Sequence, residues 1–130
     1  MKYLLDTHLL IWALTKPERI DFEVIKIIED CPNVFISAAS FWEISIKYCL
    51  GKLDLAQLTP EKMLHEVRIS QVSLLELDSK LFSTLHKLPI TNHRDPFDRL
   101  LVWQAIENNM TLISHDDRLK EYKEYGLKLF

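Results

Sequence analysis

The chain has 130 residues, with 16 Lys and Arg against 19 Asp and Glu, for a formal net charge of −3. That length corresponds to one domain, residues 1–130, able to bury roughly two-thirds of its unfolded surface without disulfide or metal staples, and the composition excludes fibrous and disordered classes. The charge excludes a broadly basic surface, so a nucleic acid would have to be held by something more local than bulk attraction.

The opening segment, MKYLLDTHLLIWALT, carries Asp6 and His8 inside its apolar run and has neither a basic region nor a small-residue cleavage site. No apolar stretch nears the roughly 20 residues that span a bilayer. The expected location is the cytoplasm, without membrane contact. Cys31 and Cys49 form no CxxC pair; both are expected to stay reduced, as small half-buried hydrophobes.

Taken in order, Tyr3-Leu4-Leu5 reads as a buried strand, followed by a helix from about His8 to Leu14. A second helix spans Phe22 to Glu29, with Asp21 as its N-cap and Pro32 beyond its end. Val34 to Ser37 is a second strand. Ser40 to Leu50 has helical apolar spacing at Phe41, Ile44 and Tyr48 and is closed by Gly51. Thr59-Pro60 opens a helix to about Ile69, with proline at the first helical position. Val72 to Leu77 is a third strand, and Asp78 caps a short helix ending near Pro89. Asp95-Pro96 opens a long helix with apolar positions at Phe97, Leu100, Leu101, Ala105 and Ile106. Thr111 to Ser114 is a fourth strand, Arg118 to Tyr125 a last helix, and Leu127 to Phe130 a candidate fifth strand.

Alternating strands and helices, with nearly continuous apolar strands, imply an α/β fold whose parallel sheet is covered on both faces. In such folds the strands end and the next helices begin along one edge, and ligands bind in the crevice there. Four acids fall at that edge. Asp6 directly follows the first strand, and Asp116 lies just past the fourth. Glu43 and Asp98 are placed in the first turns of the helices after the second strand and before the fourth.

Each acid has a local explanation. Ser40-Phe41-Trp42-Glu43 matches the S-x-x-E capping box, Asp95-Pro96-Phe97-Asp98 is its analogue, and Asp6 and Asp116 are placed to cap the first and last helices. Together they pose a harder problem. Two carboxylates 4 Å apart repel by roughly 4 kcal/mol at an effective dielectric near 20, whereas a helix N-terminus offsets only about 0.3–1 kcal/mol per acid. The crevice must therefore protonate some of these groups or bind a cation. All-oxygen ligation favours Mg²⁺ or Mn²⁺ over zinc. An ion of that kind recruits a phosphate, activates water and neutralises charge on a phosphodiester, which explains how an acidic protein attracts an anionic polymer.

His8, His93 and His115 neighbour these acids, but no H-x-x-x-H or H-E-x-x-H spacing occurs, and all three read as rim positions. Lys47 lies one turn beyond Glu43, an ordinary i, i+4 pair. Arg94, Arg99 and Arg118 flank the acidic segments, as phosphate contacts or as solvated surface charges.

The segments LLDTH, SFWEISIK, HRDPFDRLLVWQA and LISHDDRL, in that order, resemble the PIN-domain ribonucleases, and in particular the VapC-type toxins of bacterial toxin–antitoxin pairs. The resemblance runs from residue 2 to about 125. It implies a three-layer α/β/α sandwich around a mostly parallel sheet of four to five strands. It also implies metal-dependent RNA hydrolysis, with Asp6, Glu43, Asp98 and Asp116 as catalytic and metal-binding residues and no further cofactor. Asp116 rather than Asp117 fits the pattern of a small hydroxyl residue, any residue, then Asp. Asp95 reads as an N-cap first and a metal ligand second. Thr7 and Ser114 look like hydroxyls that hold the acids or the waters around the ion; Ser40 is a third, with capping its stronger reading.

The same resemblance implies a homodimer neutralised by a small antitoxin protein. Trp12, Phe41, Trp42 and Trp103 are candidates for those surfaces, although aromatics at helical spacing are more often core. Two other classes fit less well. A haloacid-dehalogenase-type phosphatase needs a second Asp where His8 stands, and a phosphotransfer receiver needs an acid in register at the end of the central strand, where only Glu76 and Asp78 occur. A non-catalytic PIN-like module that grips RNA or protein would be expected to lack some of the four acids, and none is missing.

Overall fold

The computed structural model describes residues 1–130. Its elements are β1 (Tyr3–Leu5), α1 (Thr7–Thr15), α2 (Phe22–Asp30), β2 (Val34–Ser37), α3 (Ala38–Cys49), α4 (Pro60–Ile69), β3 (Ser73–Leu75), α5 (Ser79–Thr84), α6 (Pro96–Glu107), β4 (Thr111–Ile113) and β5 (Lys128–Leu129). Short 3₁₀ turns follow α1 and α5, and a 3₁₀ helix covers Asp117–Tyr125. The sheet order is β3-β2-β1-β4-β5, and every neighbouring pair is parallel.

The register explains the layers. Leu4 pairs with Phe35 and Leu112, and Leu5 with Ile36 and Ile113. Because side chains alternate across a strand, Leu4, Phe35 and Leu112 face a core built with α5, α6 and the 3₁₀ helix. Leu5, Ile36 and Ile113 face a second core with α1, α2 and α4. The result is the α/β/α sandwich, with β1 at its centre. No helix is long and apolar enough to cross a membrane.

Three local details differ from the sequence reading. The helix expected from Ser40 begins at Ala38, because β2 runs into α3 without a loop and the Ser37 hydroxyl accepts from Ala39 N (3.0 Å). Ser40 and Glu43 therefore lie inside α3, and no capping box forms. Asp21 stands at the start of α2 but its side chain makes no cap bond. The last helix is 3₁₀ rather than α, and its buried residues, Leu119 and Tyr122, three apart, lie on its inner face. Elsewhere the expected punctuation holds. Thr59 accepts from Lys62 N, Asp78 from Leu81 N, and Gly51 leaves α3 at φ +70.

Of the four aromatics considered as surface, Trp103 is core, with Nε1 donating to Thr84 Oγ1 (3.1 Å). Trp12 and Phe41 are half-buried. Trp42 is exposed and meets Phe97 edge to face at 4.8 Å, which joins α3 to α6 beside Glu43 and Asp98.

Candidate metal centre

Asp6 sits where β1 gives way to α1. Its N–H donates to Ile113 O (3.1 Å), so the β1–β4 ladder runs one residue past the strand and fixes the backbone. Its Oδ1 accepts from Leu9 N (2.8 Å), capping α1. The carboxyl is buried, and burial holds it above the ordinary carboxylate range, against hydrogen bonds from Ser114 and Leu9 and the nearby His8 and His115.

Glu43 is buried in the second turn of α3, and its Oε2 accepts from Lys47 Nζ at 2.5 Å. The i, i+4 spacing makes this pair, and Lys47 remains partly exposed at the cavity.

Asp98 lies in the first turn of α6, where Asp95 Oδ1 accepts from its N–H (3.0 Å). Asp95 is thus the N-cap, and the Asp98 carboxylate is released from capping. Its Oδ2 meets His93 Nε2 at 2.7 Å. Burial raises the Asp98 carboxyl; the His93 bond opposes this, and the charges of Asp95 and Glu43 push it further up.

Asp116 precedes the 3₁₀ helix and caps it, Oδ1 accepting from Arg118 N (3.0 Å). The Arg118 guanidinium grips it bidentately, Nε to Oδ1 at 3.0 Å and Nη2 to Oδ2 at 2.9 Å, and holds the carboxyl below the ordinary range. Ser114 Oγ accepts from Asp116 N (3.0 Å), and the same hydroxyl is close enough to Asp6 to favour its charged form, so it stands between the two acids.

All four carboxylates, with Asp95, line a single cavity of about 440 Å³ at the edge where the strands end. His8, Trp12, His115, Lys47 and Arg118 complete its rim. The second group of expected residues divides. Ser114 touches the acids, whereas Thr7 donates to Ser40 (3.0 Å), both buried, tying α1 to α3.

His93 departs from the sequence reading. It is buried rather than at the rim, and one ligand atom each from His93, Asp98 and Asp116 lies within 4.8 Å of the others. Tyr122 OH donates to His93 O (2.7 Å), and His93 N donates to Thr91 Oγ1 (3.1 Å). The available signal was its place five residues before Asp98. Its burial, however, depends on Tyr122, 29 residues further on. Arg99 is spent on structure, donating to Leu88 O and Pro89 O at 2.9 Å. Arg94 is exposed and donates to Thr91 O.

Chemically, Glu43 and Asp116 each have a cationic side chain as partner, whereas Asp6 and Asp98 have neither lysine nor arginine. Those two are the acids that burial pushes up. An oxygen-rich set with an imidazole at its edge, containing carboxyls that repel one another, fits a hard divalent cation.

The family model for the PIN domain matches residues 3–125, and the chain belongs to that family. More particular relatives fall within one group. Ribonuclease VapC22 of Mycobacterium tuberculosis is 26% identical over 121 residues, covering 92% of this chain and 91% of that protein. Among solved structures, VapBC2 from Rickettsia felis bound to a DNA fragment from its promoter superposes with a TM-score of 0.71 at 19% identity, covering 100% of this chain and 98% of the other. DNA-bound VapBC from Salmonella typhimurium gives 0.65 at 18% identity, with 100% and 97% covered. VapBC-1 from nontypeable Haemophilus influenzae gives 0.63 at 22% identity, again with 100% and 97% covered. At those identities the structural likeness speaks for the fold.

Proposed function

We propose that residues 1–130 form one nuclease domain that hydrolyses RNA phosphodiester bonds with Mg²⁺ or Mn²⁺, as the toxin of a toxin–antitoxin pair. The observation that carries this reading is the convergence of Asp6, Glu43, Asp98 and Asp116, from four separate segments of a PIN-family chain, on one cavity. The similarity to a protein named a ribonuclease supports the choice of reaction, and the VapBC neighbours support a small antitoxin partner; a homodimeric toxin is part of the proposal on the family resemblance alone.

In this reading Asp6, Glu43, Asp98 and Asp116 hold the ion, and Asp95 keeps its role as N-cap. When bound, a divalent cation neutralises charge on the scissile phosphate and acidifies the attacking water. The chain's own residues do the rest. Asp98 keeps Oδ1 free of hydrogen bonds while His93 fixes Oδ2, which leaves one oxygen for the ion that Asp98 would help to hold. Lys47 and Arg118 stand at the rim as the cations nearest the substrate backbone.

Purified protein with Mg²⁺ or Mn²⁺ is expected to cleave single-stranded RNA, and chelation or Asp6→Asn to lower the rate by about 10²-fold or more. Intact RNA under every metal condition, from protein whose fold is verified, would overturn the nuclease in favour of a non-catalytic RNA- or protein-binding module. Coexpression with the product of the adjacent open reading frame, followed by co-purification, tests the antitoxin.

A further inference from the structure

We propose that Trp12, His8 and His115 form a stacking site for a nucleobase of the RNA strand that is cleaved at the acidic cavity. The inference rests on the nuclease reading and specifies how its substrate is gripped.

His8 and Trp12 occupy one face of α1 at i, i+4, with ring centroids 6.0 Å apart. His115 leaves β4 and brings its ring to 5.5 Å from the indole. The Arg19 guanidinium lies over the indole at 5.9 Å. Both imidazoles are exposed, while Trp12 is half-buried and is the one hydrophobic residue in the lining of the acidic cavity. Core packing accounts for the buried part of Trp12. It does not account for two exposed imidazoles leaning on that indole, nor for an indole opening beside carboxylates.

The charge of the molecule gives these rings a task. With a net charge of −3 and an acidic cavity, backbone attraction contributes little to RNA affinity beyond the ion itself. A base is uncharged and presents a π face that tryptophan, histidine and arginine planes all accept. The cavity, about 440 Å³, is large enough to admit a nucleotide. Stacking also selects single strands, because paired bases hide their faces.

The test uses the full chain and a defined, fluorescently labelled single-stranded oligoribonucleotide, bound in Ca²⁺ with strand integrity checked on gels. The double variant His8→Ala/His115→Ala alters exposed side chains and should fold normally. It is expected to bind about tenfold more weakly at saturating Ca²⁺, where any change in ion affinity transmitted through Asp6 does not enter the comparison. Trp12→Phe should retain most of the affinity and Trp12→Ala should lose it. Abasic nucleotides placed one position at a time should cost the wild type about tenfold at one position and the double variant almost nothing there.

Equal abasic penalties in both proteins, or variants that bind as the wild type does, would overturn the stacking site. Cleavage of the same strand in Mn²⁺ is scored separately. Cleavage without a coupled position sinks the stacking site and leaves the nuclease standing; a coupled position without cleavage does the reverse.

Discussion

At the scale of single residues, Asp6 and Asp98 carry the cost of the site. Both carboxyls are raised by burial, so the metal-free fold resists their ionisation more than the unfolded chain does. The sign follows from linkage. A carboxyl whose folded pKa is raised contributes most below its unfolded value, and that contribution disappears as pH rises through the folded value. Metal-free protein should therefore lose stability as pH rises from about 4, the unfolded carboxyl value, to neutrality, so far as these two groups govern it, and the gain from Mn²⁺ should shrink towards the acid end as protons compete for the same oxygens. Asp116 has the opposite sign, its stabilisation by Arg118 being lost only as pH falls through its lowered pKa. Asp6→Asn and Asp98→Asn should each raise the metal-free melting temperature at neutral pH by about 4 °C and abolish stabilisation by Mn²⁺. Thermal melts with and without chelator check both outcomes; a lower metal-free melting temperature in both variants would contradict the account.

At the scale of elements, the starts of α3 and α6 show what a sequence can and cannot display. Asp95-Pro96 announces α6 because proline fixes the first helical position, and the cap lies where that pattern places it. Ser40 and Glu43 imitate a capping box one turn too late. The true cap, Ser37, is hidden as the last residue of an apolar strand that becomes a helix without a loop. The two serines can be told apart by urea denaturation. Ser37→Ala should cost about 1 kcal/mol and add to Thr7→Val. Ser40→Ala should cost about 1–3 kcal/mol by stranding the buried Thr7 hydroxyl, and Thr7→Val should return part of that loss. The 3₁₀ helix was illegible for another reason: Lys, Glu and Leu suit an α-helix equally well, and no residue in the segment marks three residues per turn. His93 escaped because its loop reads as polar surface until Tyr122 covers it.

At the scale of the molecule, strand–helix alternation made the parallel sheet and its ligand edge legible, and with them the meeting of four acids that stand far apart in the chain. The sheet order β3-β2-β1-β4-β5 was not legible, since it depends on crossovers that leave no local mark. Net charge has a consequence at this scale as well. If the ion and the aromatic cluster supply most of the grip, log affinity against log salt should have a slope on the order of −1 to −2, far shallower than for a basic protein making six to ten phosphate contacts. Fluorescence anisotropy over a salt series would reveal it, and a steep slope would mean that unrecognised basic residues dominate. The spacing of the acids also bears on synthesis. Residues 6, 43, 98 and 116 meet only after β4 has paired with β1, so the centre cannot assemble on a chain that has not yet emerged past residue 116. A nuclease built this way stays inactive through most of its own synthesis, until the last of the four acids has left the ribosome.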